Sequence, residues 1–423
     1  MSNQINLKEK IDSFIEKHKE EFFPILQELC RFPSEHGKEY DVQAYLKQKF
    51  EEIGYKADMV PIDNSIKNDP EYTTAVPEIS FKNRPNLVVK IPGTGDGKSV
   101  IFNSHNDVVP AKGWEKAYKP EIKGDKIIGR GVCDDKHGAV LQYMMALFLK
   151  ENNLEPVGDI IFEIVIDEEV GGNGTLSLLR QGYCADGVIV LEFSNLNINA
   201  GARGALWFRA EFKGKSAHMS QIHLGISAID RAMHFVELMK DYQKRLRKDG
   251  EGLEMFPYEP VPAQVNIGTI KGGDWPASVP ASCVIEGGVG FLPPKTCADI
   301  KKEMAEIIEN DSDPYFRENV KLSFPGLHND PYELDKNHPV VKTLEKALRR
   351  SGWEPKIIAN LASSDARLFA NIGKIPTVNF SPPRNSGNVH GSEENNSLKD
   401  ILDSLRGLLY FLEEWCGLKM KKI

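Results

Sequence analysis

Between residues 86 and 192, short apolar runs of strand length alternate with a segment of helical length. Gly138–Asn153 has the length and spacing of a helix, and the strand-like runs are Asn86–Ile91, Ser99–Ser104, Asp159–Ile166 and Gly187–Leu191. Runs that are apolar at nearly every position are typical of strands that are covered on both faces. We therefore predict an α/β domain in which a sheet is flanked by helices.

The first two strand-like runs are joined by a glycine-rich segment, which predicts a strand pair with a glycine-rich connection. This segment nearly matches a phosphate-binding loop, but it begins with Pro92 and is followed by the strand-like residues VIFNS. A phosphate-binding loop leads into a helix, whose N-terminus holds the anion. We therefore interpret residues 92–99 as a turn between strands.

The pattern changes near residue 200, where six further segments follow in β-α-β-β-α-β order. They are Leu206–Phe212, Ile226–Lys248, Gln264–Ile270, Cys283–Phe291, Ala298–Asn310 and Val320–Phe324. This order is the ferredoxin-like signature. We therefore predict that residues 203–326 form an inserted α+β domain, and that residues 1–202 and 327–423 together build the α/β domain.

The composition disfavours several classes of function. A chain of 423 residues exceeds the ~100–200 residues of one ordinary domain, and its net charge of -8 disfavours a nucleic-acid partner. No apolar run approaches the ~20 residues needed to span a bilayer, so we expect no membrane association. The N-terminus is charged throughout and the six cysteines include no CxxC pair, which is typical of a cytoplasmic protein in a reducing environment.

Side chains that bind metals follow the predicted strands or precede the predicted helix. They are His105 and Asp107, Asp134 in the glycine-rich segment 129–138, Glu168 and Glu169, and Glu192. In open α/β sheets, ligands bind beyond the carboxyl ends of the strands. We therefore expect these side chains to converge on one edge of the sheet.

The charges of these side chains indicate a pair of metal ions. Carboxylates that converge repel one another, so that some of them must be protonated or meet cations. Two dications would balance Asp134, Glu169 and Glu192 together with one bridging hydroxide. A mixture of histidine and carboxylate without thiolate favours zinc, with cobalt or manganese as substitutes. Since successive strand residues point in opposite directions, Glu168 and Glu169 are not both expected to bind the same ion, so that one binds metal while the other acts as base.

Eight motifs occur in order across roughly residues 100–400: HND, GRGVCDDKHG, DEEVGG, LEFSN, GKSAHMSQIHLGISAI, GGDWPASVP, SSDARLFA and VHGSEEN. The set resembles the dinuclear zinc family of acetylornithine deacetylase, succinyl-diaminopimelate desuccinylase, aminoacylase and carboxypeptidase G. DWPASVP is most similar to the acetylornithine-deacetylase-like branch, and the length also suits the formylaminopyrimidine deformylases of the same family.

The resemblance implies two Zn²⁺ per chain, with Asp134 as the bridging ligand and a cis peptide bond after it. The implied metal ligands are His105, Asp134, Glu169, Glu192 and His390. His105 and Glu192 complete the shells of one and the other zinc, and Glu169 and His390 supply the remaining ligands. It makes Glu168 the general base, which takes a proton from the bridging water and passes it to the leaving amine. Asp107 is placed to orient the imidazole of His105.

The resemblance also assigns roles outside the metal centre. The inserted domain corresponds to a lid, in which His218 polarises the scissile carbonyl, commonly in the site of the partner subunit. This implies a homodimer through the lid. A histidine that merely caps a loop is the alternative for His218. Arg367 matches a position that is associated with a substrate carboxylate, although a structural salt bridge with Asp365 is an alternative. Two residues depart from the family pattern: His137 replaces a glycine, and Ala277 replaces an asparagine.

We therefore expect a metal-dependent hydrolase that cleaves the amide bond of a small N-acylated amine or amino acid, with an acetyl, formyl or succinyl group. One alternative is a di- or carboxypeptidase of the same family. Another is a protein that keeps the fold for binding without catalysis, which the presence of all matched positions disfavours.

Overall fold

A computed structural model describes residues 6–256, 262–383, 385 and 387–421. The chain divides into two compact units. The first unit comprises Met1–Ala200, Leu334–Ile358 and Ser364–Ile423, and the second comprises Gly201–Glu333 and Ala359–Ser363. The second unit therefore contains the whole predicted insertion, residues 203–326, and takes in several residues beyond it.

The helices in chain order are α1 (Leu7–His18), α2 (Phe22–Arg31), α3 (Tyr40–Glu52), α4 (Lys136–Glu151), α5 (Asn173–Arg180), α6 (Ala228–Asp249), α7 (Cys297–Glu309), α8 (Pro314–Asn319), α9 (Pro339–Arg350), α10 (Ala366–Asn371) and α11 (Leu398–Cys416). Short 3₁₀ segments lie at Asn64–Asn68 and Met219–Leu224. None of the described helices is both long enough and apolar enough to cross a membrane.

The strands in chain order are β1 (Ala57–Val60), β2 (Asn86–Ile91), β3 (Val100–His105), β4 (Glu121–Lys123), β5 (Lys126–Ile128), β6 (Leu154–Pro156), β7 (Ile160–Val165), β8 (Val188–Val190), β9 (Ile198–Ala202), β10 (Gly204–Lys213), β11 (Gln264–Gly272), β12 (Ser282–Phe291), β13 (Val320–Ser323), β14 (His328–Asn329), β15 (Tyr332–Glu333), β16 (Ile357–Asn360), β17 (Thr377–Asn379), β18 (Asn395–Ser397) and β19 (Leu418–Met420).

The first unit is built on a mixed sheet in the order β1-β2-β7-β3-β8-β17-β9. Its centre is parallel, because β3 pairs in parallel with both β7 and β8, and β8 pairs in parallel with β17. Every residue of β3 and β7 is buried, which is the expected consequence of helices on both faces of a parallel sheet. The carboxyl ends of these central strands therefore meet at one edge of the sheet.

The predicted pairing of the first two strands is wrong. β2 and β3 are consecutive in the chain, but β7 lies between them, antiparallel to β2 and parallel to β3. The segment 92–99 connects them as a loop without a helix, as its sequence indicates. A local pattern predicts that two strands exist, but a later strand can insert between them.

Helix α4 is the most deeply buried helix of the first unit. It packs against β3, α2 and α11, and its residues from Lys136 to Leu149 are buried except Leu147. A helix that is apolar on all sides requires such enclosure. Because Asp134 and Asp135 directly precede α4, this packing fixes the segment that carries them.

The second unit has the predicted ferredoxin-like fold. Its antiparallel sheet has the order β11-β12-β10-β13, and α6 and α7 provide the two crossovers. Helix α7 begins with a capping box between Thr296 and Asp299, which satisfies backbone donors at the helix N-terminus. The predicted fold class, an α/β sheet flanked by helices with an inserted α+β domain, is confirmed.

Candidate metal centre and active site

The side chains predicted to bind metal lie at the carboxyl edge of the first unit's sheet. His105 is the last residue of β3, and Glu192 lies two residues beyond β8. Glu168 and Glu169 lie in the turn that follows β7. Since β7, β3 and β8 are parallel neighbours, their ends bring these residues together.

The five predicted ligands form two groups around Asp134. His105 and Glu192, which the resemblance assigns to different ions, lie in the same group, and His390 lies with Glu169. In the first group, His105 Nε2 lies 2.9 Å from Asp134 Oδ1 and 3.5 Å from Glu192 Oε2. In the second, His390 Nε2 lies 3.0 Å from Asp134 Oδ2 and 3.0 Å from Glu169 Oε2. Each oxygen of the Asp134 carboxylate thus faces a different imidazole, which is the arrangement of a carboxylate that bridges two ions.

The pKa values in the two groups show how much negative charge is concentrated there. Burial first, and then the charge of Asp134, raises the pKa of Glu169 to about 7 and that of Glu192 to about 7. Burial also disfavours the charged form of Asp134, but hydrogen bonds with His105 and His390 outweigh it and hold the pKa of Asp134 below its usual value.

This donor set fits a pair of divalent cations. Asp134 and Glu192 are buried, the side chain of Glu169 is 7% exposed, and the imidazoles of His105 and His390 lie against these three carboxylates. Glu192 Oε1 is buried with no hydrogen-bond partner among the described residues. Imidazole nitrogens and carboxylate oxygens are ligands of zinc and related divalent ions. Cations placed between these groups would offset the burial of the carboxylates and their mutual repulsion, which together raise the pKa values of Glu169 and Glu192.

The turn after β7 is held by Asp107. Its Oδ1 accepts a hydrogen bond from the backbone N–H of Glu168 at 3.3 Å, and its Oδ2 accepts one from that of Glu169 at 3.0 Å. His105 Nδ1 lies 3.0 Å from the backbone carbonyl of Asp107 and 3.5 Å from Oδ1. Asp107 therefore contacts both the imidazole and the turn, and the second contact was not predicted.

Glu168 and Glu169 do not belong to a strand, so the argument from alternating strand side chains does not apply to them. Oε2 of Glu168 lies 4.0 Å from His105 Nε2, at the margin of the first ligand group, whereas Glu169 contacts His390. Burial raises the pKa of Glu168 well above its ordinary value, and the charges of Asp365, Glu192 and Glu169 add to this effect.

The preceding residue, Asp167, is anchored by a buried ion pair that sequence reasoning missed. Arg84 Nη2 donates to Asp167 Oδ1 at 2.8 Å and to Glu39 Oε1 at 2.5 Å. Asn173 Nδ2 donates to Asp167 Oδ2 at 2.7 Å. Because Arg84 and Glu39 are far from the DEEVGG motif in sequence, no spacing links them to it.

Asp135 and His137 lie next to the first ligand group. Asp135, which was not predicted as a ligand, offers a carboxylate oxygen within 4.8 Å of ligand atoms of His105 and Glu192. The peptide bond between Asp134 and Asp135 is cis, as the resemblance implies. Asp135 Oδ2 accepts a hydrogen bond from the backbone N–H of His105 at 3.4 Å, and burial raises its pKa well above the ordinary value. Burial lowers the pKa of His137 to about 3, and its Nε2 lies 2.6 Å from Ser381 Oγ. The histidine in place of glycine is therefore accommodated without displacing any predicted ligand.

Arg367 is buried against the turn that carries Glu168. Its Nη2 donates to the backbone carbonyl of Gly171 at 2.8 Å, and its side chain is 7% exposed. Asp365 is also buried and accepts a hydrogen bond from Thr175 Oγ1 at 2.6 Å. The observed contact of Arg367 is thus a structural one, and its binding of a substrate carboxylate stays a prediction.

His218 belongs to the second unit, where it is exposed and caps the 3₁₀ segment Met219–Leu224. Backbone hydrogen bonds join its segment to the GGDWPASVP motif, from Met219 N–H to the Ala277 carbonyl and from Val279 N–H to the Ala217 carbonyl. Two motifs that are about sixty residues apart in sequence therefore lie side by side in this unit.

The sequence pattern of Peptidase family M20/M25/M40 matches residues 101–414 of this chain. The chain belongs to this family. The resemblance drawn from the eight motifs is therefore confirmed, and so is the predicted class of activity, metal-dependent amide hydrolysis. The matched region includes all the side chains described above except those of Glu39 and Arg84.

Two relatives in sequence span nearly the whole chain. An N-formyl-4-amino-5-aminomethyl-2-methylpyrimidine deformylase of Halalkalibacterium halodurans is 25% identical, over 98% of this chain and 99% of its own length. The deformylase of the same description from Bacillus subtilis is 26% identical, over 96% and 97%.

Solved structures share the fold of this M20/M25/M40 chain. A tripeptidase from Staphylococcus aureus has a TM-score of 0.74 at 22% identity and covers 93% of this chain and 98% of its own. Human carnosine dipeptidase 1 has a TM-score of 0.72 at 15% identity, with 98% and 99% covered. At these identities the comparison supports the architecture alone.

Proposed function

We propose that this protein is a dinuclear zinc enzyme that removes a small acyl group from an amine, with formyl as the first candidate group. The observation that carries the proposal is the carboxylate of Asp134, whose two oxygens lie 2.9 Å from His105 Nε2 and 3.0 Å from His390 Nε2. His105, Glu192 and Asp134 would hold one zinc, and His390, Glu169 and Asp134 would hold the other. Bound zinc would supply positive charge that acidifies a water molecule and polarises a carbonyl group.

Within this proposal, Glu168 is the general base. It is partly buried, with 16% of its side chain exposed, and its Oε2 is 4.0 Å from an imidazole nitrogen of the first ligand group. It takes a proton from water and transfers it to the leaving amine. Asp107 positions this base through the backbone N–H of Glu168. The resemblance assigns to His218 the polarisation of the substrate carbonyl, commonly in the site of the partner subunit.

The formyl group is favoured by the two deformylases that match nearly the whole chain. Desuccinylases from Staphylococcus aureus match a smaller share, 86% of this chain at 25% identity. We therefore expect hydrolysis of N-formyl amines first, and N-acetyl and N-succinyl amines as weaker candidates. A di- or carboxypeptidase is the competing activity.

A substitution of Glu168 by glutamine tests the mechanism. We expect kcat to fall by about 10²–10⁴-fold, as for the loss of a general base, while two zinc ions per chain are retained. Glu20→Gln is the matched control, since Glu20 is exposed in the turn that follows α1. Retention of near-full activity by the Glu168 variant would reject the assignment of the base.

A substrate panel tests the activity. The zinc, cobalt and manganese forms are assayed with N-formyl, N-acetyl and N-succinyl amines and with dipeptides. We expect the highest kcat/KM for an N-formyl amine. Turnover of dipeptides alone would reject this proposal in favour of a di- or carboxypeptidase. A chain that holds no divalent metal and hydrolyses none of these amides would instead be a binding protein.

We also propose a homodimer formed through the second unit, which acts as a lid. This is supported by β11, which ends the sheet of this unit among the described residues, and by exposed apolar side chains at Met219, Ile222 and Trp275, which are 61%, 68% and 68% exposed. Sedimentation of the active enzyme as a monomer would contradict it.

A cytoplasmic location is supported by the six cysteines, none of which forms a disulfide.

A further inference from the structure

We propose that Glu394 is a positioning residue for the bridging aspartate. Its carboxylate accepts hydrogen bonds from the backbone of residues 131–134 and links this segment to the loop that carries His390. Oε1 of Glu394 accepts hydrogen bonds from the N–H groups of Gly131 at 3.1 Å, Cys133 at 2.9 Å and Asp134 at 3.1 Å. One carboxylate oxygen thus fixes the backbone of Asp134, the proposed bridging ligand. This inference rests on the proposed metal centre.

The second oxygen of Glu394 is paired with an arginine. Arg130 Nη1 donates to Glu394 Oε2 at 2.5 Å, and Arg130 Nη2 donates to the backbone carbonyl of His390 at 3.4 Å. Both side chains are buried, with 2% and 0% exposed. The pair therefore contacts the backbone of both His390 and Asp134.

Other contacts show that the two loops are fitted to each other. Asn396 Nδ2 donates to the carbonyl of Val132 at 3.0 Å, and β18 pairs with β5 beside it. At Gly387, where φ is +56°, a Cβ atom would lie 2.5 Å from Cys133 Sγ, so that only glycine allows this approach. Glu394 supplies the charged contact at the centre of this junction.

The chemistry of the contact requires a carboxylate at this position. A buried carboxylate needs several donors to stay charged, and here three amides and one guanidinium provide them. A glutamine could keep one oxygen for the amides, but its NH₂ group would then face the Arg130 guanidinium, donor against donor. The amides or the arginine would lose their acceptor, and the Asp134 carboxylate would lose its fixed place between the two imidazoles.

Three variants test this proposal. Glu394→Gln removes the charge, Glu394→Asp keeps the charge but withdraws it by one methylene group, and Glu393→Gln removes the charge of the exposed neighbouring residue as the matched control. Amide hydrogen exchange is measured on the metal-free proteins, and zinc affinity is measured by competition with a chelator. The two readouts separate the contact itself from its effect on the metal centre.

We expect exchange of the amides of Gly131, Cys133 and Asp134 to accelerate about tenfold or more in Glu394→Gln, which is the effect of losing about one charged hydrogen bond. Zinc affinity is expected to fall about 10- to 100-fold in Glu394→Gln and less in Glu394→Asp, while Glu393→Gln behaves as wild type. If Glu394→Gln does not fold, Glu394→Asp carries the test.

Wild-type exchange at these three amides together with wild-type zinc affinity, in whichever Glu394 variant folds, would overturn the proposal. Faster exchange without any change in zinc affinity would also overturn it, because the contact would then be structural only. If the wild-type protein binds no zinc, the proposed function fails, whereas unchanged exchange in the metal-free variants is a failure of the Glu394 contact itself.

Discussion

The carboxylate of Asp107 holds the turn that carries Glu168, the proposed base. The variant Asp107→Asn tests whether this contact positions the base. The carboxylate accepts the N–H groups of Glu168 and Glu169 with its two different oxygens. An asparagine has one accepting oxygen, so that one of these N–H groups would face an NH₂ group instead. The imidazole of His105 keeps its contact with the backbone carbonyl of Asp107 at 3.0 Å, so that the change acts mainly on the turn.

The expected loss follows from the hydrogen bond that is removed. A hydrogen bond to a charged group contributes about 1.5–3 kcal/mol, and a tenfold change in rate corresponds to about 1.36 kcal/mol. If this energy is used to hold Glu168 in place, kcat falls about 10- to 150-fold. The assay is kcat for the best amide of the panel at saturating zinc, with zinc content and melting temperature measured beside it.

The exposed residue Asp96, in the loop between β2 and β3, provides the control variant Asp96→Asn. We expect the control to keep wild-type kcat. A kcat within about twofold of wild type in Asp107→Asn, with both N–H groups still ordered, would refute the argument that Asp107 positions the base. A loss of zinc without a change in kcat per bound zinc pair would move its role to the metal ligands instead.

Two further predictions concern stability. Glu163 is fully buried in β7, and burial raises its pKa from 4.5 to about 8, so that the folded state binds its proton more tightly and stability falls as pH rises from about 4.5 to about 8. The free energy of unfolding is measured with urea at pH 5 and at pH 8. Between these two pH values it should fall by roughly 3 kcal/mol more in the wild type than in Glu163→Gln. An equal fall in the two proteins would contradict this. Arg84→Met leaves Glu39 and Asp167 buried without their cation, which should destabilise the protein by about 3–5 kcal/mol in the same assay. A change in the free energy of unfolding below about 1 kcal/mol would show that the ion pair contributes little to stability.

The sequence was sufficient for the parts of the account that follow from local pattern. Apolar runs located β3, β7 and β8, and the rule that ligands lie beyond the strand ends led to His105 and Glu192. Motifs in order led to Asp134 and His390, which are separated by more than half of the chain but meet at 3.0 Å. These predictions succeeded because chain direction alone fixes which end of a parallel strand reaches the common edge.

Other features depend on tertiary contacts that no spacing encodes. The partner of β2 is β7 rather than β3, because β7, which comes later in the chain than both, lies between them in the sheet. Glu168 and Glu169 lie in a turn, where the two-residue alternation of a strand does not hold. Glu394 belongs to the motif VHGSEEN, but its contact with the backbone of Asp134 becomes visible only in the folded chain.

The most direct test of the central claim is a crystal structure of the zinc-loaded enzyme with anomalous diffraction measured on both sides of the zinc absorption edge. We expect two zinc peaks, each about 2.0–2.2 Å from a different oxygen of the Asp134 carboxylate, one beside His105 and Glu192 and the other beside His390 and Glu169. A single peak, or two peaks without Asp134 between them, would contradict it.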